Sequence, residues 1–175
     1  MRTLILLVSV ALIPSAVLAE SAAGVQWTAP AGWTTQGPAP MRAATYTIPP
    51  APGDRAGGEC AVYFFGAGQG GSPEANIDRW NGQFTGSGGT RVTGKIAKRT
   101  VHGLPMTTLD VAGAYSGMGG PMAGASRTVA GYRLLGAIVE APGGNVFIKM
   151  TGPAKTIAAN QQKFELLLAS LQRGR

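Results

Sequence analysis

Three glycines, Gly66, Gly68 and Gly71, stand in the spacing G-x-G-x-x-G between an apolar run, Cys60 to Phe65, and a helix start at Ser72-Pro73. Backbone amides of such a loop, together with a helix N-terminus, can hold a phosphate, the chemistry of dinucleotide sites. Two features argue against a nicotinamide cofactor. About 20 positions further on, where an acid would take the ribose hydroxyls, the chain reads Arg91-Val92. The segments beyond come in pairs joined by short turns, the pattern of hairpins and not of strand–helix–strand units. The glycines are therefore read as those a tight strand-to-helix turn requires, with a looser anion site as the functional alternative.

Past the loop, Asn76, Arg79 and Gln83 fall at i, i+3 and i+7, a polar stripe beside Trp80. The planar fork of Arg79 suits a carboxylate or phosphate. Its structural alternative is a pairing with Glu59 or Asp78, or bonds to carbonyls of the glycine loop, and that alternative predicts that Arg79→Ala lowers stability. Gly68, Gly70, Gly71, Asn76, Arg79 and Gln83 make up the candidate binding surface.

Elsewhere the chemistry-bearing residues are sparse. His102 is the only histidine, too few for a zinc site or a recognisable triad, and before Gly103 it reads as a turn residue. His102 with Met106, Met118 and Met122 has copper-type donors, but methionines also fill gaps in cores, so no metal is assigned. Cys60, the only cysteine, sits mid-strand as an inert thiol and excludes an internal disulfide. The acids are spread over different elements and form no catalytic pair. The expectation is a non-enzymatic protein without cofactor.

The elements that position these residues begin after a leader. Arg2, an apolar stretch from Leu4 to Val17, and small residues at Val17 and Ala19 form a secretory signal pattern cleaved before Glu20, with a second cut conceivable after Ala23. Residues 20–175 then read as one exported, periplasmic domain. No later run approaches the roughly 18 apolar residues of a membrane span. Of fifteen Lys and Arg, one, Arg2, leaves with the leader. The remaining basic excess reads as a solvated basic face, with an anionic surface or an envelope protein as the alternative of a partner. Its only cluster, Lys95, Lys98 and Arg99, is not interleaved with aromatics, which excludes a nucleic-acid reading.

Along the chain, strands are expected over Val25–Thr28, Met41–Ile48 and Cys60–Phe65. In the second of these Arg42, Ala44, Tyr46 and Ile48 share a face. The third is apolar on both faces, so the sheet is covered on both sides there. Trp27 and Trp33, around Pro30-Ala31-Gly32, are expected to anchor the chain end on the core, the alternative being a ligand platform. Ile77, Trp80 and Phe84 form one helical stripe. Hairpins follow around His102-Gly103 and Pro142-Gly143-Gly144, with a loop without periodicity over 116–126 between them. A C-terminal helix begins at Gly152-Pro153 with Ile157, Phe164, Leu167, Leu168 and Leu171 on one face. Six to seven antiparallel strands covered by two helices make an α+β domain.

The run Trp27-x-x-Pro30-x-Gly32-Trp33, then Met41-Arg42, Gly70-Gly71, Asn76-Ile77-x-Arg79-Trp80, Gln83-Phe84, and Gly152-Pro153 before Phe164 and Ser170-Leu171 is similar to small exported bacterial proteins of unknown function. These resemble the PsbP-like superfamily. The resemblance implies an antiparallel sheet between helices, an α/β/α sandwich, and a binding or assembly role in place of catalysis. The metal-binding residues of plant members find no matching motif here, so the resemblance implies no site residues.

Overall fold

The computed structural model describes residues 19–117 and 128–174. The leader, apart from Ala19, and the 116–126 loop, apart from Ser116 and Gly117, lie outside the described residues. The elements in chain order are β1 (Ala19–Ala22), β2 (Val25–Thr28), β3 (Thr34–Thr35), β4 (Arg42–Ile48), β5 (Gly58–Phe64), α1 (Pro73–Asn81), β6 (Phe84–Thr85), β7 (Lys95–Val101), β8 (Leu104–Tyr115), β9 (Val129–Ala141), β10 (Gly144–Pro153), α2 (Ala154–Ser170) and β11 (Gln172–Arg173). Eight strands form one sheet in the order β3-β4-β5-β10-β9-β8-β6, with β7 also paired to β8. Every pairing is antiparallel. A second, three-stranded sheet has the order β1-β2-β11. The domain is α+β, with more strands than the sequence predicts. Three of the four extra ones, β3, β6 and β11, are two residues long, too short to show a period, and the fourth, β1, straddles the end of the leader pattern.

Alternation along β10 divides the molecule. Val146, Ile148 and Met150 turn to one face, where they join Tyr46, Cys60, Val62 and the α2 residues Ile157, Phe164, Leu167 and Leu168 in the larger apolar cluster. Phe147 turns the other way and packs with Leu109, Val111, Leu134 and Ile138 against Ile77 and Trp80 of α1. The helices thus lie on opposite faces. Trp80 can sit on β9 only because position 136 is glycine: a Cβ there would lie 2.4 Å from the indole.

Both helix starts are secured. Ser72 caps α1, its hydroxyl accepting from the Ala75 amide at 3.2 Å, and Pro73 opens the first turn. Pro153, before α2, offers no side-chain cap. The carboxylate of Asp54 does that work from the turn after β4, accepting from the Thr156 amide at 2.9 Å and its hydroxyl at 2.6 Å. Trp27 and Trp33 anchor the chain start as expected. Both are buried, their indole N–H groups donating to the Tyr46 hydroxyl at 2.7 Å and to Asn160 Oδ1 at 2.9 Å. That burial removes them as a ligand platform. The Tyr46 hydroxyl in turn donates to Glu20.

Two expectations are corrected. The helical stripe stops short, because α1 ends at Asn81 with Gly82 as its cap. Phe84 reaches the same cluster from β6, and Gln83 is in the connection, not on the helix. The regular alternation of β4 also fails at its start, where Arg42 pairs with Tyr63 and Ala44 with Val62, leaving Ala43 as a bulge. One extra residue reverses side-chain direction. Arg42 is thereby moved off the face of Tyr46 and Ile48 and onto the α1 face, beside Glu59.

α1 has nine residues, and it covers only part of its face. Beyond it, among the described residues, the sheet surface of β4, β5 and β10 is open. No described helix is long and apolar enough to cross a membrane.

Candidate functional site

The glycine loop is a structural corner. Gly66, Gly68, Gly70 and Gly71 all have positive φ. At Gly70 a Cβ would lie within 2.8 Å of both Phe65 and Phe147. Asn76, 3% exposed, donates from Nδ2 to the Gly70 carbonyl at 2.7 Å and to the Ser72 carbonyl at 2.9 Å. Its Oδ1 accepts from Arg79. Asn145 Nδ2 bonds the Gly71 carbonyl at 3.3 Å from across the sheet. Of the six predicted surface residues, Gly70 and Asn76 hold the turn together, while Gly68 and Gly71 are exposed on it.

Arg79 and Gln83 point elsewhere. They border a cavity of about 180 Å³ with Tyr63, Phe65, Trp80, Phe147 and Lys149. Arg79 forms no ion pair with Glu59 or Asp78 among the described residues. The bulge in β4 has brought Arg42 to Glu59 instead, 3.0 Å away, and the Arg42 guanidinium also lies 5.3 Å from the centre of the Tyr63 ring. A larger cleft of about 640 Å³ adjoins this cavity along the open sheet surface, sharing Tyr63 and Lys149 with it. Arg42, Glu59, Tyr115, Tyr132 and Thr151 are among its other walls. The Tyr115 and Tyr132 rings are stacked, 5.7 Å apart and within 2° of parallel.

Lys149 is the centre of this arrangement. It lies at the middle of the sheet, opposite Ala61 of β5 and Gly136 of β9. Its ammonium donates to Gln83 Oε1 at 2.7 Å and to the Tyr115 hydroxyl at 3.1 Å. Burial, and next the Arg79 charge, push it down to about 8, with Glu59 opposing and Arg42 adding to the fall. Burial also raises the Tyr63 and Tyr115 phenols, so both stay protonated donors. Among the described residues one buried side-chain oxygen has no hydrogen-bond partner, Thr151 Oγ1. It belongs to the wall of the same cleft. Three cations, Arg42, Arg79 and Lys149, therefore face aromatic surface with a single acid, and that acid is already paired.

The sequence reading includes Arg79 and Gln83 but misses Lys149, Arg42, Tyr115 and Tyr132. A signal for Lys149 is present: a lysine inside Val146-Phe147-Ile148-Lys149-Met150, in a strand otherwise apolar on both faces. Arg42 carries no such signal, because a bulge is not written in the period. His102 and Met106 do not form a copper site within the described residues. His102 Nδ1 is 2.8 Å from the Leu171 carbonyl at the end of α2, Met106 is in the core, and Met118 and Met122 lie outside the described residues. Cys60 is fully buried, which raises its thiol and keeps it inert, as expected.

No protein-family model matches the chain, and no curated protein matches it. Among solved structures it is similar to the crystal structure of PA94, a protein of unknown function from Pseudomonas aeruginosa. The two share 14% identity with a TM-score of 0.46, over 72% of this chain and 78% of that one.

Proposed function

We propose that the chain is an exported, periplasmic, non-enzymatic binding protein of PsbP-like fold whose open cleft takes a small anionic ligand with a planar, apolar body. The observation that carries this reading is Lys149, a lysine on a central strand whose hydrogen bonds among the described residues go to Gln83 and Tyr115 and to no carboxylate. Taking an ammonium out of water without a counter-charge is costly, and an anion seated in the cleft supplies one. Arg79 and Arg42 flank the position, and the stacked tyrosines and Phe65 offer flat apolar surface to the rest of the ligand. Thr151 Oγ1, in the cleft wall, has no hydrogen-bond partner among the described residues. The export and single-domain parts of the proposal rest on the leader pattern, and the fold-family part on the sequence resemblance.

A carrier of this kind is favoured over an accessory factor that grips an envelope protein through Gly66 to Gln83, because Gly70 and Asn76 of that surface are engaged internally. A thermal-shift series with aromatic and aliphatic carboxylates and with phosphates tests the proposal. The melting temperature is expected to rise with ligand concentration in the wild type and much less in Lys149→Met. A flat response across the series overturns it, and a stable protein recovered by crosslinking in the periplasm would then support the accessory role.

A further inference from the structure

Lys149 has an unusual set of neighbours for a lysine. Its nitrogen is bonded to a neutral amide oxygen and a phenol, and the one acid in the cleft is held by Arg42. Among the described residues no carboxylate bonds it, and the Glu59 charge alone favours the ammonium. Its side chain, partly exposed among the described residues, borders both the larger cleft and the smaller cavity. From this juxtaposition of an amine, the Tyr115 hydroxyl and two flanking guanidinium groups, we infer that Lys149 captures small carbonyl compounds bearing a carboxylate as a reversible covalent imine. The inference deepens the proposed anion-binding function and rests on it.

The step balances without an oxidant or reductant. The neutral Lys149 amine attacks the carbonyl carbon, forming the C–N bond while the C=O π pair moves to oxygen. Tyr115, 3.1 Å from Nζ, gives its hydroxyl proton to that oxygen and takes one from the nitrogen, leaving a carbinolamine. Loss of the hydroxyl with a second proton from nitrogen, as water, forms C=N. Amine plus carbonyl gives imine plus water, and hydrolysis reverses it. Burial supports both roles, raising the Tyr115 phenol so that it stays protonated and pushing Lys149 down to about 8, so that far more of it is neutral at pH 8 than of an ordinary lysine. Arg79 and Arg42 receive the carboxylate.

The full chain is incubated with glyoxylate and sodium cyanoborohydride at pH 8, and the reduced adducts are located by peptide mass spectrometry. Lys149 is expected to be carboxymethylated at least about tenfold faster than any of the other four lysines, the margin allowing for the lower nucleophilicity of a less basic amine. Tyr115→Phe is expected to slow labelling at Lys149 and leave the other lysines unchanged. Labelling of Lys149 no faster than the rest overturns the inference. Benzoate, which has no carbonyl to trap, separates this from the broader proposal. If benzoate stabilises the protein but Lys149 is not labelled preferentially, the imine falls and the anion cleft stands. If propanal labels Lys149 as fast as glyoxylate and benzoate has no effect, the amine is reactive and the carboxylate preference falls.

Discussion

Replacing Lys149 by methionine should make the protein more stable at neutral pH and less stable at high pH. Folding moves the ammonium from its ordinary 10.5 to about 8, chiefly by burial. At about 1.4 kcal/mol per pH unit this gap corresponds to about 3 kcal/mol of unfavourable free energy, or about 2 after discounting for the solvent that still reaches the side chain. The cost is present in full below pH 8. Between pH 8 and 10.5 the unfolded chain binds more protons than the folded one, so stability rises with pH across that window as the cost is relieved. Methionine has similar reach without a charge, but it removes the hydrogen bonds to Gln83 and Tyr115, worth about 1 kcal/mol together once Tyr115 finds water. Gln83, 7% exposed, is left with a poorly solvated oxygen. The variant should therefore be more stable than wild type by about 1 kcal/mol at pH 7 and less stable by about 1 kcal/mol near pH 10. Arg79, Arg42, Glu59 and the Tyr63 and Tyr115 phenols, which face Lys149, are common to both proteins, so the difference reports on Lys149. Urea unfolding of both at several pH values measures it. A difference that stays constant from pH 7 to 10 would refute the reasoning.

Further substitutions test the scaffold and the site. Gly136→Ala places a methyl 2.4 Å from the buried Trp80 ring and should cost about 1–3 kcal/mol by overpacking, read as a lower urea midpoint at unchanged slope. Asp54→Ala leaves the first turn of α2 without its cap, removing two bonds to Thr156; a loss of about 1–2 kcal/mol in chemical denaturation is expected. Arg79→Ala should lower stability by about 1–2 kcal/mol, since it leaves the buried Asn76 Oδ1 without its donor, read as a lower urea midpoint. The same variant should weaken benzoate binding in calorimetry, whereas Asn76→Ala should lower stability with a smaller effect on binding, which separates the ligand role of Arg79 from the structural one.

The long elements were legible because their patterns are long. The doubly apolar run around Val62 marked a central strand, the His102-Gly103 and Pro142-Gly143 turns marked hairpins, and the Phe164–Leu168 stripe marked the helix that covers one face. The two-residue strands were not, since they exist only through their partners' register. Legibility of the site divides in the same way. Arg79 and Gln83 are legible because polar groups stand beside Trp80, although Gln83 reaches the smaller cavity from beyond the helix end. The glycine loop suggested a phosphate cradle because its spacing is also that of a tight turn, and only the bonds from Asn76 show which use the loop serves. Alternation alone puts Arg42 on the face of Tyr46, and one bulged residue, Ala43, inverts it. Tyr115 and Tyr132, far apart in sequence, meet only through the pairing of β8 with β9.

The central claim is that an anion binds beside Lys149. Titration of isotopically labelled protein with benzoate, followed by amide and lysine side-chain chemical shifts, tests it most directly. The account predicts saturable shifts concentrated at Arg42, Tyr63, Arg79, Gln83, Tyr115 and Lys149, with the Lys149 ammonium retained to higher pH in the bound state. Shifts confined to the exposed basic strand Lys95–Val101, or no saturable shifts at all, would contradict it.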